Sequence, residues 1–356
     1  MTEGNTRPHP DTVGLDVGDR TSQLCRLERQ GEIIEESRVA TTKKALGRRF
    51  KEMAAARVVL EVGPHSPWIS RLLATAGHEV IVANPRKLRL IYENDQKSDR
   101  ADAEYLARVG RLDPKLLAPV RHRSQNTHAH LTVLRSRDAL VRARTALINH
   151  VRGSVKAVGG RLPSCGTPSF HRKVEGVIPE ELEAALLPLV DVIGHLTEKI
   201  RHYDKRIKEI SEVKYPETAL LRQVPGVGPV TALCYVLTLE DPDRFPTSRS
   251  VGPYLGLVPR KRDSGNASPQ LRTTKSGDPM LRHLLTQAAH YILGPFGPDT
   301  DLRRWGLQIA ERGGNNVKKR AIVAVARKLA VLLHSLWSTG EVYEPLRNSQ
   351  RESAAA

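Results

Sequence analysis

Residues 12–63 read TVGLDVGDRTSQLCRLERQGEIIEESRVATTKKALGRRFKEMAAARVVLEVG, and the order of elements inside this stretch decides the fold. TVGLDVG, SQLCRLER and EIIEESRVA are three short β-patterned runs, with Gln30-Gly31 marking the turn between the second and third. TTKKALGRRFKEMAA has helical periodicity, and RVVLEVG is a continuous apolar run fit for a buried strand. Working outward, SPWISRLLATAG (66–77) is a helix opened by Ser66-Pro67, HEVIVANP (78–85) is another strand, and DRADAEYLARVGR (99–111) is a helix. Residues 1–11 are polar and are expected to be disordered.

Three strands followed by alternating helix and strand is the order of the ribonuclease H fold, although other α/β folds share it. A dinucleotide-binding fold is disfavoured, because no GxGxxG and helix follow the first strand. Four acids stand out. Alternation puts Val13, Leu15 and Val17 on one face of the first strand and Asp16 on the other. Glu61 ends the run Val58–Leu60, where an unpaired carboxylate would be costly to bury. Asp99 and Asp102, flanked by Lys97 and Arg100, are three apart on one helical face. Carboxylate oxygens are hard ligands for Mg²⁺ or Mn²⁺. Taken singly, Asp16 could be a turn acceptor and Asp99 a helix cap; together on one α/β pattern they predict a metal site.

The chain has 356 residues and a net charge of +17, which points to a polyanionic partner, nucleic acid above all. The charge is +3 over 1–120 and +7 over each of 121–215 and 216–356, so the later segments are expected to grip phosphates. No apolar run of 18 residues and no polybasic anchor is visible, so no membrane partner is expected. Cys25, Cys165 and Cys234 are scattered, which fits a reducing cytoplasm better than a disulfide or zinc framework. His122, His128 and His130 read as polar surface residues.

Residues 124–158 form a basic helix with Leu134, Val141, Ile148 and Val155 seven apart and Arg135, Arg137, Arg142, Arg144 and Arg152 between them. From Leu182 to Ile210, apolar residues recur in alternating steps of four and three, the seam of a coiled-coil arm, with Pro188 expected to kink or restart the helix. This arm would pair with the earlier helix or with another subunit. LLRQVPGVGPVTALCYVL (220–237) has a helix-hairpin-helix pattern in which Gly226 and Gly228 let backbone N–H groups approach a phosphate. Further on, Arg260, Lys261, Arg262, Arg272 and Lys275 surround Ser264-Gly265, a stretch suited to binding nucleic acid. Spacing alone leaves Ser264 a turn residue, with Ser268 and Ser276 as rival hydroxyls.

GLDV with Asp16, LEVG with Glu61, and KSDRADA with Asp99 and Asp102 resemble the DEDD transposases of bacterial insertion sequences, the IS-one-ten family of bridge-RNA-guided recombinases. PGVGPVTA, SVGPYLGLVPR, TTKSGDPMLRHLL and VKKRAIVAVARKLAVLLHSLW resemble that family's C-terminal domain, so the likeness runs from about residue 12 to about residue 345. The loop after Ser264, GNASPQLRTTK, departs from the Gly- and Lys-richer stretch of many relatives.

The resemblance implies α/β plus all-α architecture: a RuvC-like ribonuclease H-fold domain at 12–120, a helical coiled-coil linker at 121–215 and a serine transposase domain at 216–345, with tails at 1–11 and 346–356. It implies that Asp16, Glu61, Asp99 and Asp102 bind Mg²⁺ (Mn²⁺ as substitute) and that Ser264 is the nucleophile joined to DNA. It also implies element-end and target DNA as partners, a noncoding guide RNA, and a dimer or tetramer that forms composite sites. Strand exchange through a covalent link needs no ATP, and no GxxxxGK[ST] loop is present. A site-specific invertase of the same family, a Holliday-junction-type nuclease and a non-catalytic nucleic-acid-binding protein are the alternatives, the last least favoured.

Overall fold

The computed structural model describes residues 11–85, 98–264, 269, 271–314 and 316–349, which fall into two compact units meeting at residues 123 and 124. The tail expected over 1–11 lies outside the described residues except for Asp11, whose carboxylate accepts from Arg26 at 2.7 Å. Lys97, Gly265 and Ser268 also lie outside them.

The first unit is a five-stranded sheet in the order β3-β2-β1-β4-β5. Its strands are β1 (Thr12–Val17), β2 (Thr21–Leu27), β3 (Ile33–Ala40), β4 (Arg57–Glu61) and β5 (Glu79–Ala83). β1 to β3 form an antiparallel meander, while β4 runs parallel to both β1 and β5. α1 (Lys43–Lys51) and α2 (Ser66–Thr75) supply Leu46, Phe50, Ile69 and Leu73 to a core that also holds Val13, Leu15, Val58 and Leu60. Each of these fully buried side chains contributes on the order of 2 kcal/mol.

α3 (Asp99–Leu112) packs with the other face, where Val59 meets Leu106, and Cys25 and Leu27 meet Ala103 and Ala107. Gly14 makes that approach possible. A Cβ there would sit 1.8 Å from the Ala103 carbonyl oxygen and 2.7 Å from the Ala107 nitrogen. No side chain fits that space, so helix and strand meet backbone to backbone.

The second unit is helical. α4 (Gln125–Ala157) and α5 (Glu180–Lys214) lie antiparallel: Ile148, Val151 and Val155 of α4 cluster with Leu186, Val190 and Ile193 of α5, while Leu131 and Leu134 share a cluster with Ile207 and Ile210. The seam predicted for α5 therefore meets the earlier helix of the same chain. Pro188 neither ends nor restarts α5. It lies on the exposed side, so water can satisfy the Ala184 carbonyl that the proline leaves without an N–H partner.

α4 and α5 belong to the same unit as everything after residue 216. There α6 (Pro229–Leu239), α7 (Pro279–Leu293), α8 (Asp301–Glu311) and α9 (Val317–Thr339) enclose a core around Tyr235, whose hydroxyl donates to the Ala330 carbonyl at 2.6 Å. Among the described residues α9 alone is long and apolar enough to cross a membrane, which the run-length reading did not anticipate. It buries Val325, Ala326, Leu329, Ala330, Leu333 and Leu336 in this core. The segment expected as a tail from 346 is ordered to 349, where Asn348 N–H and the Ser349 hydroxyl donate to the Asp301 carboxylate at 2.7 and 2.6 Å.

Candidate functional site

The acidic corner follows from register. Leu15 pairs with Leu60, so one more step along the parallel β1–β4 pair sets Asp16 beside Glu61. Val13 and Leu15 pack with α1 and α2, whereas Gly14 meets α3, so Asp16, two residues on, lies on the α3 face. Val58 and Leu60 likewise face the α1–α2 core and Val59 faces α3, which puts Glu61 on the α3 face as well.

The polarity of α3 completes the corner. Arg57, at the start of β4, donates to the Gly110 carbonyl at 3.1 Å, and Arg111 donates to Arg29 and Gln30 at the β2–β3 turn. The C-terminus of α3 therefore lies at the beginning of β1 and β4, and its N-terminus at their carboxyl ends. Asp99 and Asp102 each stand four residues before a buried, sheet-facing residue, Ala103 and Leu106. All four acids are thus on one side of the sheet at one end. β1 continues to β2 on one flank and β4 leads through α2 to β5 on the other, so this end is the switch point where α/β sheets bind ligands.

Ser98, not Asp99, caps α3, accepting from Ala101 N–H at 3.2 Å, which frees Asp99 from the capping role. Asp16, Glu61 and Asp102 all have interaction partners. Among the described residues no three His, Cys, Asp or Glu side chains are gathered closely enough to hold a metal ion. The backbone brings the donors to one corner, and their chemistry suits a hard cation; the side chains are not closed around one. Arg100, which flanks Asp99 in sequence, is held bidentate by Glu36. Cys25, packed under α3, has its thiol pKa pushed up to about 11 by burial and then by the Glu104 and Glu36 carboxylates.

Sequence reasoning passed over the loop that follows β4. Gly63 N–H donates to the Ser66 hydroxyl at 3.0 Å, and Ser66 Oγ meets His122 Nε2 at 2.8 Å. His122 is therefore a bonded, half-buried residue. His130 is another, meeting the Tyr215 hydroxyl at 2.9 Å, while His128 is exposed as expected. No short motif marks the Ser66–His122 pair, because its members are 56 positions apart.

In the second unit, Val258–Arg260 and Arg272–Thr274 form an antiparallel stem, with Arg260 N–H donating to Arg272 O and Thr274 N–H to Val258 O, both at 2.9 Å. Gly256, at φ +68°, seats that stem: a Cβ there would lie 2.3 Å from Ser276 N. Ser264 is exposed on the loop beyond the stem, and Arg260, Lys261, Arg262, Arg272 and Lys275 are exposed around it. Ser276 is a poorer candidate because its hydroxyl donates to the Pro253 carbonyl at 3.2 Å.

The glycine hairpin is also formed. Gly226 adopts φ +83° against Ala288 and Tyr291, and Gly228 occupies the N-cap of α6 with no side-chain cap. A groove of about 480 Å³ opens there, lined among others by Arg222, Gly226, Gly228, Thr231, Gln287 and Tyr291.

A mixed five-stranded sheet with an acidic corner defines an α/β protein, and comparison with known proteins narrows the class. A transposase family of the IS110 DEDD type matches residues 13–158, and the Transposase IS116/IS110/IS902 family matches residues 218–300. The chain is 28% identical to the transposase for insertion sequence element IS1111A of Coxiella burnetii, over 93% of this chain and 90% of that protein. It is 28% identical to a probable family 20 transposase of Pseudomonas aeruginosa, over 94% and 98%. It is 24% identical to a pilin gene-inverting protein of Moraxella lacunata, over 73% and 72%. Together these matches support a DEDD transposase of the IS110/IS116 family.

Proposed function

We propose that this chain cleaves and rejoins the DNA strands of a mobile insertion sequence in the cytoplasm, as an oligomer directed by a noncoding RNA. The observation that supports the proposal is the backbone arrangement that sets Asp16, Glu61, Asp99 and Asp102 on one face of the sheet at the carboxyl ends of β1 and β4. In this reading Asp16, Glu61, Asp99 and Asp102 would hold Mg²⁺, and the ion would supply Lewis-acid polarisation of a phosphodiester.

Ser264 supplies the nucleophile. Its Oγ–P bond forms as the strand's P–O bond breaks, the serine proton passes to solvent, and the departing oxygen leaves as a hydroxyl. Attack by another strand's hydroxyl reverses these steps, so the diester energy is conserved without ATP. Arg260, Lys261, Arg262, Arg272 and Lys275 neutralise the phosphoryl oxygens, and the Gly226–Gly228 hairpin holds the backbone nearby.

Asp102→Asn tests the reading. The variant is expected to bind an element-junction duplex with RNA transcribed from the flanking region, yet to transfer no strands in Mg²⁺. Wild-type transfer by the variant would contradict the assignment. Inversion is the second reading, favoured by the likeness to the pilin gene-inverting protein. A plasmid carrying two element ends in opposed orientation separates the two by its products.

A further inference from the structure

We propose that His65 is a phosphate-contacting catalytic residue of the acidic corner, presenting its Nε2–H to a non-bridging oxygen of the phosphodiester; this rests on the strand-transfer reading above. Position makes the first argument. Asp19 lies on the turn leaving β1, three residues after Asp16, and His65 lies on the loop leaving β4, four residues after Glu61. His65 Nε2 meets Asp19 Oδ1 at 3.3 Å, so this contact spans the gap between the two strands that carry Asp16 and Glu61.

Tautomer chemistry makes the second. Trp68 Nε1–H donates to His65 Nδ1 at 3.0 Å. An indole can only donate, so in the neutral ring Nδ1 holds the lone pair and the hydrogen is on Nε2. The two rings also meet edge to face, with centroids 6.0 Å apart. The inner edge of the imidazole is therefore fixed in direction and tautomer.

The outer edge is held weakly. Asp19 is 91% exposed, and a contact to so exposed a carboxylate contributes little in water. The ring does not cap α2 either, although His65 occupies the N-cap position. A Cβ on neighbouring Gly63 would meet no atom within 4 Å, so the loop is open on that side. An anchored imidazole with an exchangeable outer acceptor is suited to donating to an incoming anion. A phosphodiester entering the crevice would replace Asp19, and charge developing on its non-bridging oxygen would strengthen the bond.

The test uses full-length protein, the junction duplex and flanking RNA. Single-turnover strand cleavage in Mg²⁺ is measured for the wild type, His65→Ala and His65→Gln, with circular dichroism and thermal unfolding reporting the fold. His65→Ala is expected to slow cleavage on the order of 10- to 100-fold while weakening duplex affinity by no more than about 3-fold. His65→Gln, which keeps an N–H near the Nε2 position, should stay within about 3-fold. Alongside, the His65 Nε2 resonance of ¹⁵N-histidine-labelled protein should shift when saturating duplex is added with Ca²⁺. An unshifted resonance, or a His65→Ala rate equal to that of wild type, would overturn the proposal. Absence of cleavage by the wild type would count against strand transfer itself, while the resonance shift would still decide the phosphate contact.

Discussion

The acidic corner and the serine loop are built in opposite ways. The corner is held by secondary structure: two paired strands fix Asp16 against Glu61, and a helix pressed onto Gly14 brings up Asp99 and Asp102. Ser264 is exposed on the loop carried by the Val258–Arg260 and Arg272–Thr274 stem. Under the proposed function the difference has a use: metal ligands would need the fixed positions that a regular scaffold gives, and a nucleophile that links to one strand and releases it to another would need the access that an exposed loop gives.

The largest effect that could break this contrast comes from the corner. Asp16→Asn or Glu61→Gln is expected to lower strand transfer on the order of 10³-fold. Thermal unfolding should show at most a small loss of stability, because half-buried carboxylates at the carboxyl ends of the central strands are replaced by near-isosteric amides. A variant with wild-type rate would dissolve the metal reading.

Gly14→Ala attacks the scaffold without touching a carboxylate. Its Cβ has to displace the backbone of α3, so a stability loss of about 3 kcal/mol is expected in denaturant titration. Cys25 reports the same event. Its raised pKa and burial keep it unreactive, so iodoacetamide at pH 8 should leave Cys25 intact in the wild type while the half-buried Cys165 is alkylated. In Gly14→Ala, as α3 lifts, Cys25 should become reactive. Alkylation of wild-type Cys25 as fast as Cys165 would contradict the packing.

The smallest effect belongs to the hairpin. Gly228 adopts an ordinary φ of −88°, and a Cβ there meets nothing within 4 Å. Gly228→Ala is therefore expected to change stability by less than about 1 kcal/mol while weakening duplex binding about 3- to 10-fold. Gly226→Ala, at φ +83° and close to Tyr291, should instead destabilise the protein. Equal binding by Gly228→Ala and wild type in a salt titration would remove the hairpin from the interface.

Much of the corner was legible in the sequence because it rests on local rules. Alternation placed Asp16 opposite Val13 and Leu15, and three-residue spacing put Asp99 and Asp102 on one face. The meeting of the two pairs was not legible, since it depends on the close approach at Gly14, and a glycine in a strand is only a hint of that. The Glu36 partner of Arg100 was not legible, because it is 64 positions away in a strand with no distinguishing pattern. The restart expected at Pro188 does not occur, because the cost of a helical proline depends on which side of the helix meets water. Ser264 owes its prominence to the family resemblance: a hydroxyl in a polar loop carries no periodicity that singles it out from Ser268 or Ser276.

The most direct test of the account is a denaturing gel of the wild type and Ser264→Ala, each incubated with Mg²⁺, labelled junction duplex and flanking RNA. The account predicts a protein–DNA adduct with wild type that needs both metal and RNA and is absent with Ser264→Ala. Metal-dependent cutting with no adduct in either protein would contradict it and leave a hydrolytic nuclease in which Ser264 is a loop residue.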